Sequence, residues 1–123
     1  MTKKTEKGRG AKVWTLIFRS NDPKSFQNIS SGKKWVETRA AIKRYKAIQK
    51  GDTIRFVCGR LACTKVVVRV RLFPSIKKML STYRIKDIMP DARTELEVRR
   101  AYAGYPNYKK KLALYGLIAW ELA

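Results

Sequence analysis

The chain has no histidine, only nine acidic residues and only two cysteines in 123 residues. The missing histidine excludes Ser-His and Cys-His nucleophile pairs, imidazole acid–base pairs and His-ligated metals together. Two cysteines alone cannot complete a four-ligand zinc site of the usual kind, so no metal and no cofactor are expected. Any catalysis would have to run on Lys, Glu, Asp, Tyr, Cys or Thr. Long apolar runs are also missing. Nothing approaches the length that spans a bilayer, and residues 1–12 lack the apolar stretch of a secretory signal. A cytoplasmic location without a membrane partner is therefore expected. Cys58 and Cys63, in CGRLAC, would flank a four-residue hairpin loop as small half-buried thiols; a reducing compartment disfavours a disulfide between them.

What is abundant is positive charge. Lysine and arginine total 29, giving a net charge of +20. Such an excess repels itself in a compact chain and is tolerated most simply when a polyanion neutralises it. Nucleic acid fits, because counterion release makes phosphate contacts favourable without sequence reading. Nothing in the composition calls for a protein partner. Hydrophobic residues make up 45%, enough for one packed domain rather than whole-chain disorder.

Residues 1–12, MTKKTEKGRGAK, carry five basic residues and no large apolar residue after the initiator. They are expected to form a flexible basic arm, removable without loss of stability, ahead of a domain over 13–123. VWTLIF (13–18) predicts a first strand. Asp22 and Pro23 predict a capped helix start, with Phe26 and Ile29 inward and Gly32 as the stop. WVETR (35–39) alternates, placing Trp35, Glu37 and Arg39 on one strand face. Ile42, Tyr45 and Ile48 mark a helical or turn-rich link closed by Gly51. TIRFVC (53–58) and TKVVVRVRLF (64–73) predict a hairpin, with Val66, Val68, Val70 and Leu72 on one face and Arg55, Arg69 and Arg71 forming a basic stripe on the other. PSIKKMLSTY predicts a helix. DARTELEVRRAYAGYPNY predicts another, with Thr94 and Glu97 at capping-box spacing and a break at Gly104 and Pro106. YGLIAWEL (115–122) is apolar on both faces and predicts an interior strand. The fold class is α+β.

Four segments together carry a family resemblance: FQNISSGKKWVETR, QKGDTIRF, VVVRVRLFPSIKKML and YGLIAWEL. In that order and spacing the chain resembles an ASCH domain, of the PUA-like group, from about residue 14 onward. The resemblance implies a small PUA-like β-barrel with helices packed at its ends. It also implies a cleft lined by the GKKxxExR segment that binds RNA or a nucleoside. Lys34, Glu37 and Arg39 would then be cleft residues with Lys33 beside them. Trp35 departs from the small threonine usual at its position.

Within GKKWVETR, Glu37 and Arg39 could simply pair as strand neighbours. For binding, Lys33, Lys34 and Arg39 would meet phosphate, Glu37 would orient Arg39 or accept from a base, and Trp35 would stack. For catalysis, Lys34 would act as an uncharged amine and Glu37 as a proton relay. The catalytic alternative has a concrete form, because some small ASCH proteins that this chain resembles hydrolyse the amide of N4-acetylcytidine with a lysine, a threonine and a glutamate. Lys34 matches the lysine; Glu37 occupies the threonine's position, and the glutamate falls near Met89, with Asp87 and Asp91 close by. Ribonuclease activity is a further form attributed to the family. Tyr102, Tyr105 and Tyr108, followed by three lysines, suit stacking on single-stranded bases. The expectation is an RNA-binding module whose footprint Arg55, Arg69 and Arg71 extend, with a nucleoside hydrolase or ribonuclease using Lys34 and Glu37 as the alternative.

Overall fold

The computed structural model describes residues 9–20 and 22–123. In chain order the elements are β1 (Val13–Phe18), α1 (Pro23–Ser31), β2 (Val36–Ala40), α2 (Lys43–Lys46), β3 (Thr53–Cys58), β4 (Leu61–Phe73), α3 (Ile76–Leu80), α4 (Ile85–Ile88), α5 (Glu95–Ala103), α6 (Tyr108–Tyr115) and β5 (Leu117–Leu122). The mixed α+β class is as expected. The five strands form one curled sheet in the order β1-β3-β4-β5-β2, with β1 parallel to β3 and every other pair antiparallel. β1 and β2 do not pair, so the sheet is a half-barrel with two free edges and not the closed barrel expected.

β5 is central because both its faces are apolar. Ile118, Trp120 and Leu122 join Phe26, Ile29, Ile54, Phe56 and Val67 in one core, covered by α1 and α2. Leu117 and Ala119 join Val36, Ile76, Met79, Val98 and Tyr102 in a second core, covered by α3 to α5. Each large apolar side chain removed from water here contributes about 1.5–3 kcal/mol. The chain reaches β5 from α6 through Gly116, at φ 72. Any Cβ there would strike the Phe73 carbonyl oxygen, so only glycine fits.

Several local expectations change. The hairpin loop is two residues, Gly59 and Arg60, so Cys58 pairs with Leu61 while Cys63 pairs with Phe56; both cysteines are free thiols. A bulge between Val67 and Arg69 shifts the alternation of β4. One extra residue exchanges the two faces of a strand. Ahead of the bulge the inward face carries Cys63, paired with Phe56, and the buried Val67; beyond it Val70, opposite Trp120, packs against the core, while Val66, Val68 and Leu72 are exposed. Residues 108–115 form α6, which periodicity did not mark. Asp22 occupies the N-cap position of α1 but makes no side-chain cap, whereas the Thr94–Glu97 capping box on α5 is present.

Residues 1–8 of the expected arm lie outside the described residues. The remainder is tied to the body through Asp52, which is fully buried. Its oxygens accept from Arg9 Nη1 (3.0 Å) and Nη2 (2.7 Å), Lys12 N (3.0 Å), Trp14 Nε1 (2.8 Å) and Gln49 N (2.9 Å). The Arg9 guanidinium, outweighing burial and aided by these N–H donors, holds the Asp52 carboxyl well below the ordinary carboxylate range. Arg9 and Lys12 thus contribute to the fold instead of hanging free. Deleting residues 1–12, or Asp52→Ala, is expected to lower Tm by several degrees, because buried donors lose their acceptor or the acceptor its partners. Calorimetry showing an unchanged Tm for both would contradict this anchor.

Candidate functional site

The site starts at the end of α1. Gly32 adopts the left-handed conformation, φ 85, and its N–H reaches the Ile29 carbonyl at 3.1 Å. The chain then turns so that Lys34 N donates to the Asn28 carbonyl at 2.9 Å, which carries Lys34 into the interior. β2 pairs Glu37 with Trp120 and Arg39 with Ile118. Paired residues share a sheet face, so Glu37 and Arg39 point to the concave side. Thr38, opposite Ala119, points to the α5 side.

Glu37 is 2% exposed and Lys34 8%. Lys34 Nζ lies 2.8 Å from Glu37 Oε1, and Arg39 places both Nε and Nη2 at 3.1 Å from Oε2. Thr38 N donates to Oε1 at 3.2 Å. Burial pushes the Glu37 carboxyl up, but the charges and hydrogen bonds of Lys34 and Arg39 outweigh it and hold the group below the ordinary range. A buried carboxylate needs such compensation. Arg39 is fixed further. Its guanidinium lies between the Phe18 ring (5.4 Å) and the Tyr45 ring (5.6 Å), and Nη1 donates to Tyr45 Oη at 3.3 Å. Arg44 stands over the same Tyr45 ring at 4.7 Å and donates to the same hydroxyl at 3.0 Å. Burial opposes the charge of Arg39, yet Glu37 and the tyrosines overcompensate and its pKa is raised.

The other wall is aromatic. Tyr102 is buried with its hydroxyl hydrogen-bonded to Thr38 Oγ1. Tyr108 stacks on it with centroids 6.2 Å apart and planes 4° apart, and Tyr105 lies 5.2 Å from Tyr108. Ala40 N donates to Tyr108 Oη at 3.2 Å, so α6 covers part of the free edge of β2. Burial raises the pKa of all three phenols, which stay uncharged at neutral pH. Between the walls lies a cavity of about 380 Å³, lined by Phe18, Arg19, Lys34, Arg39, Arg44, Tyr105, Tyr108 and Lys111 among others. Among the described residues, four basic residues besides the Lys34–Glu37 pair line it, against one further carboxylate, Asp22.

Of the residues singled out in the sequence, Lys34, Glu37, Arg39, Tyr102, Tyr105 and Tyr108 all line this cavity. Met89 does too, whereas Asp91 lines a neighbouring cavity shared with Lys34. Lys33 is exposed beside the cleft without lining it. Trp35 is off the cleft. β2 begins only at Val36, the Trp35 carbonyl accepts from Leu122 N at 2.9 Å, and the ring packs edge-on against Tyr83 at 6.0 Å. It supplies no stacking face to the cavity. The predicted arginine stripe also separates. Arg55 pairs with Thr64, five positions along β4 from Arg69, about 16 Å at strand rise. Arg71 and Arg69 lie 3.3 and 3.9 Å from Glu121, whose carboxylate also accepts from Tyr83 Oη at 2.6 Å. Sequence reasoning missed Phe18, Thr38, Arg44 and Tyr45. The one available signal is IKRYK, an aromatic residue flanked by bases, beyond its inward spacing.

No family profile and no curated protein matches the chain. Solved structures do. The crystal structure of hypothetical protein PH0355 is similar at 26% identity, covering 89% of this chain and 96% of that one, with a TM-score of 0.74. The solution structure of protein PF0455 from Pyrococcus furiosus is similar at 24% identity, covering 89% and 94%, with a TM-score of 0.71. The fold is shared along nearly the whole length of each. Among the described residues, no helix is long and apolar enough to cross a membrane.

Glu37 carries a testable consequence. Glu37→Gln keeps the shape but strands two buried cations, and is expected to cost about 3–5 kcal/mol. A carboxyl held low in the fold stabilises above its unfolded pKa of about 4.3 and loses that contribution as pH falls below it. Denaturant titrations between about pH 6 and pH 3 should therefore show a steeper loss for wild type than for Glu37→Gln. Parallel curves would contradict the ion-network assignment.

Proposed function

We propose that this chain is a nucleic-acid-binding module of the ASCH, PUA-like kind, taking single-stranded RNA in the cleft between α2, β2 and α5–α6. The observation that carries this reading is the composition of the cleft. Fixed guanidinium and ammonium groups form one wall and uncharged tyrosine rings the other. Phosphates seek the first and bases stack on the second. Glu37 does not cancel this character, since Lys34 and Arg39 already share it. The net charge of +20 supports the same reading by steering any polyanion to the surface. The segment GKKWVETR then has a definite division of labour. Lys34 neutralises Glu37, Glu37 orients Arg39, and Arg39 faces the ligand.

A nucleoside-directed amidohydrolase is the second reading, favoured by one arrangement: Lys34, Glu37 and Thr38 all border one cavity. Against it, the Lys34 Nζ lies 2.8 Å from a carboxylate, the setting of an ammonium and not of a free amine nucleophile. Thr38 is directed to Tyr102. A ribonuclease would face the same commitment of Lys34 and Glu37 to each other.

Affinity for a labelled single-stranded RNA is expected to fall by about a decade or more between 50 and 200 mM salt. Tyr105→Ala should weaken binding at every salt concentration by about 1–3 kcal/mol, the worth of one stacked base, without changing the slope. A flat salt response, or a Tyr105→Ala variant with wild-type affinity, would count against the cleft. Robust hydrolysis of N4-acetylcytidine by wild type, lost in Lys34→Arg, would replace this reading with the second one.

A further inference from the structure

The cleft does not end at Tyr45. Beyond it a second cavity of about 400 Å³ runs along the free edge of β1, walled by Trp14, Leu16 and Ile48. Arg39, Arg44 and Tyr45 line both cavities and form the partition between them. The Tyr45 hydroxyl oxygen accepts from both arginines, at 3.3 and 3.0 Å. Both lone pairs are thereby engaged, and its own O–H has no acceptor among the described residues. Arg44 is exposed and has no carboxylate within ion-pair distance among the described residues. Arg39 is already paired with Glu37, so among the described residues the partition offers the unpaired Arg44 guanidinium, the remaining N–H groups of Arg39 and a phenolic donor around one point. That donor set suits a phosphate diester.

The second cavity has its own stacking platform. The Trp14 ring is half-buried and is held by its Nε1 bond to the fully buried Asp52 at 2.8 Å. Lys12 Nζ stands 5.8 Å over the ring. Along β1, Thr53 N takes the Lys12 carbonyl at 2.9 Å, so alternate peptide groups from Lys12 onward face β3. Those of Thr15 and Ile17 face the open edge, where the strand has no partner.

We infer that the two cavities together hold a dinucleotide step of a single strand: one base against Tyr105 and Tyr108, the bridging phosphate at Arg39–Tyr45–Arg44, and the next base on Trp14. This rests on the reading above and adds to it the minimal ligand, which is two linked nucleotides and not a nucleoside. A lone nucleoside fills one cavity and leaves Arg44 and the Tyr45 O–H without an anion.

Calorimetry on the full chain decides the matter, comparing ribonucleosides with homodinucleoside monophosphates of the same bases (adenylyl-adenosine, for example) and with a hexanucleotide. The dinucleoside monophosphate should bind at least about tenfold tighter than the nucleoside, since one charge-assisted contact alone is worth that factor. Arg44→Gln, at an exposed position, and Trp14→Leu should each bring that ratio close to one. Equal affinity of nucleoside and dinucleoside monophosphate with hexanucleotide binding intact would overturn the dinucleotide step while leaving the RNA-binding reading in place. An undiminished ratio in both variants would do the same. No binding of any of the three ligands would remove both.

Discussion

A buried carboxylate between two cations organises this molecule. Glu37 lies almost wholly out of water, and its negative charge is sustained by Lys34 at 2.8 Å and Arg39 at 3.1 Å. Neither cation could be buried here without it, nor it without them. Because Glu37 fixes Arg39, the Arg39 guanidinium stays between Phe18 and Tyr45. Because Arg39 is there, Tyr45 gathers Arg44 as well. The electropositive wall of the cleft is therefore a chain of contacts that begins at one carboxylate.

The openness of the sheet gives this network a cavity to face. A closed barrel would pair β1 with β2 and fill the gap between them. In the half-barrel the two edges stay apart, leaving one cavity that reaches from α2 to the tyrosines of α5 and α6 and a second walled by α2 and β1. The interior strand β5 makes this affordable in stability, since it anchors a separate apolar core on each face. The site can then carry polar and charged groups without weakening either core. The Asp52 anchor repeats the same logic, with one buried acid gathering Arg9, Lys12, Trp14 and Gln49 around the start of β1.

Much of this was legible in the sequence, and for local reasons. Lys34, Glu37 and Arg39 sit within six residues, and the turn at Gly32 brings them together whatever the rest of the fold does. Capping by Thr94 and Glu97, the two-sided apolar pattern of β5 and the tyrosine triplet are likewise encoded over short spans. What was not legible depends on distant parts of the chain. The bulge after Val67 exchanges the faces of β4 by a single residue, which a period of two cannot reveal. Trp35 looked like part of the strand face, but it precedes β2 and its ring packs edge-on against Tyr83, off the cleft. Arg44 and Tyr45 reach the cleft only because α2 folds back over β1, and β1 lies beside β3 through a parallel pairing that no local signal predicts. α6, YKKKLALY, has no buried residue, so its sequence had no apolar stripe to show.

The most direct test of the account is a crystal structure of the full chain with a short single-stranded oligoribonucleotide. The account predicts phosphate density against Arg39 and Arg44, with a base stacked at Tyr105 or Tyr108 and the Lys34–Glu37–Arg39 contacts unchanged. Density confined to the outer sheet face around Arg55, with the cleft left open to solvent, would contradict it.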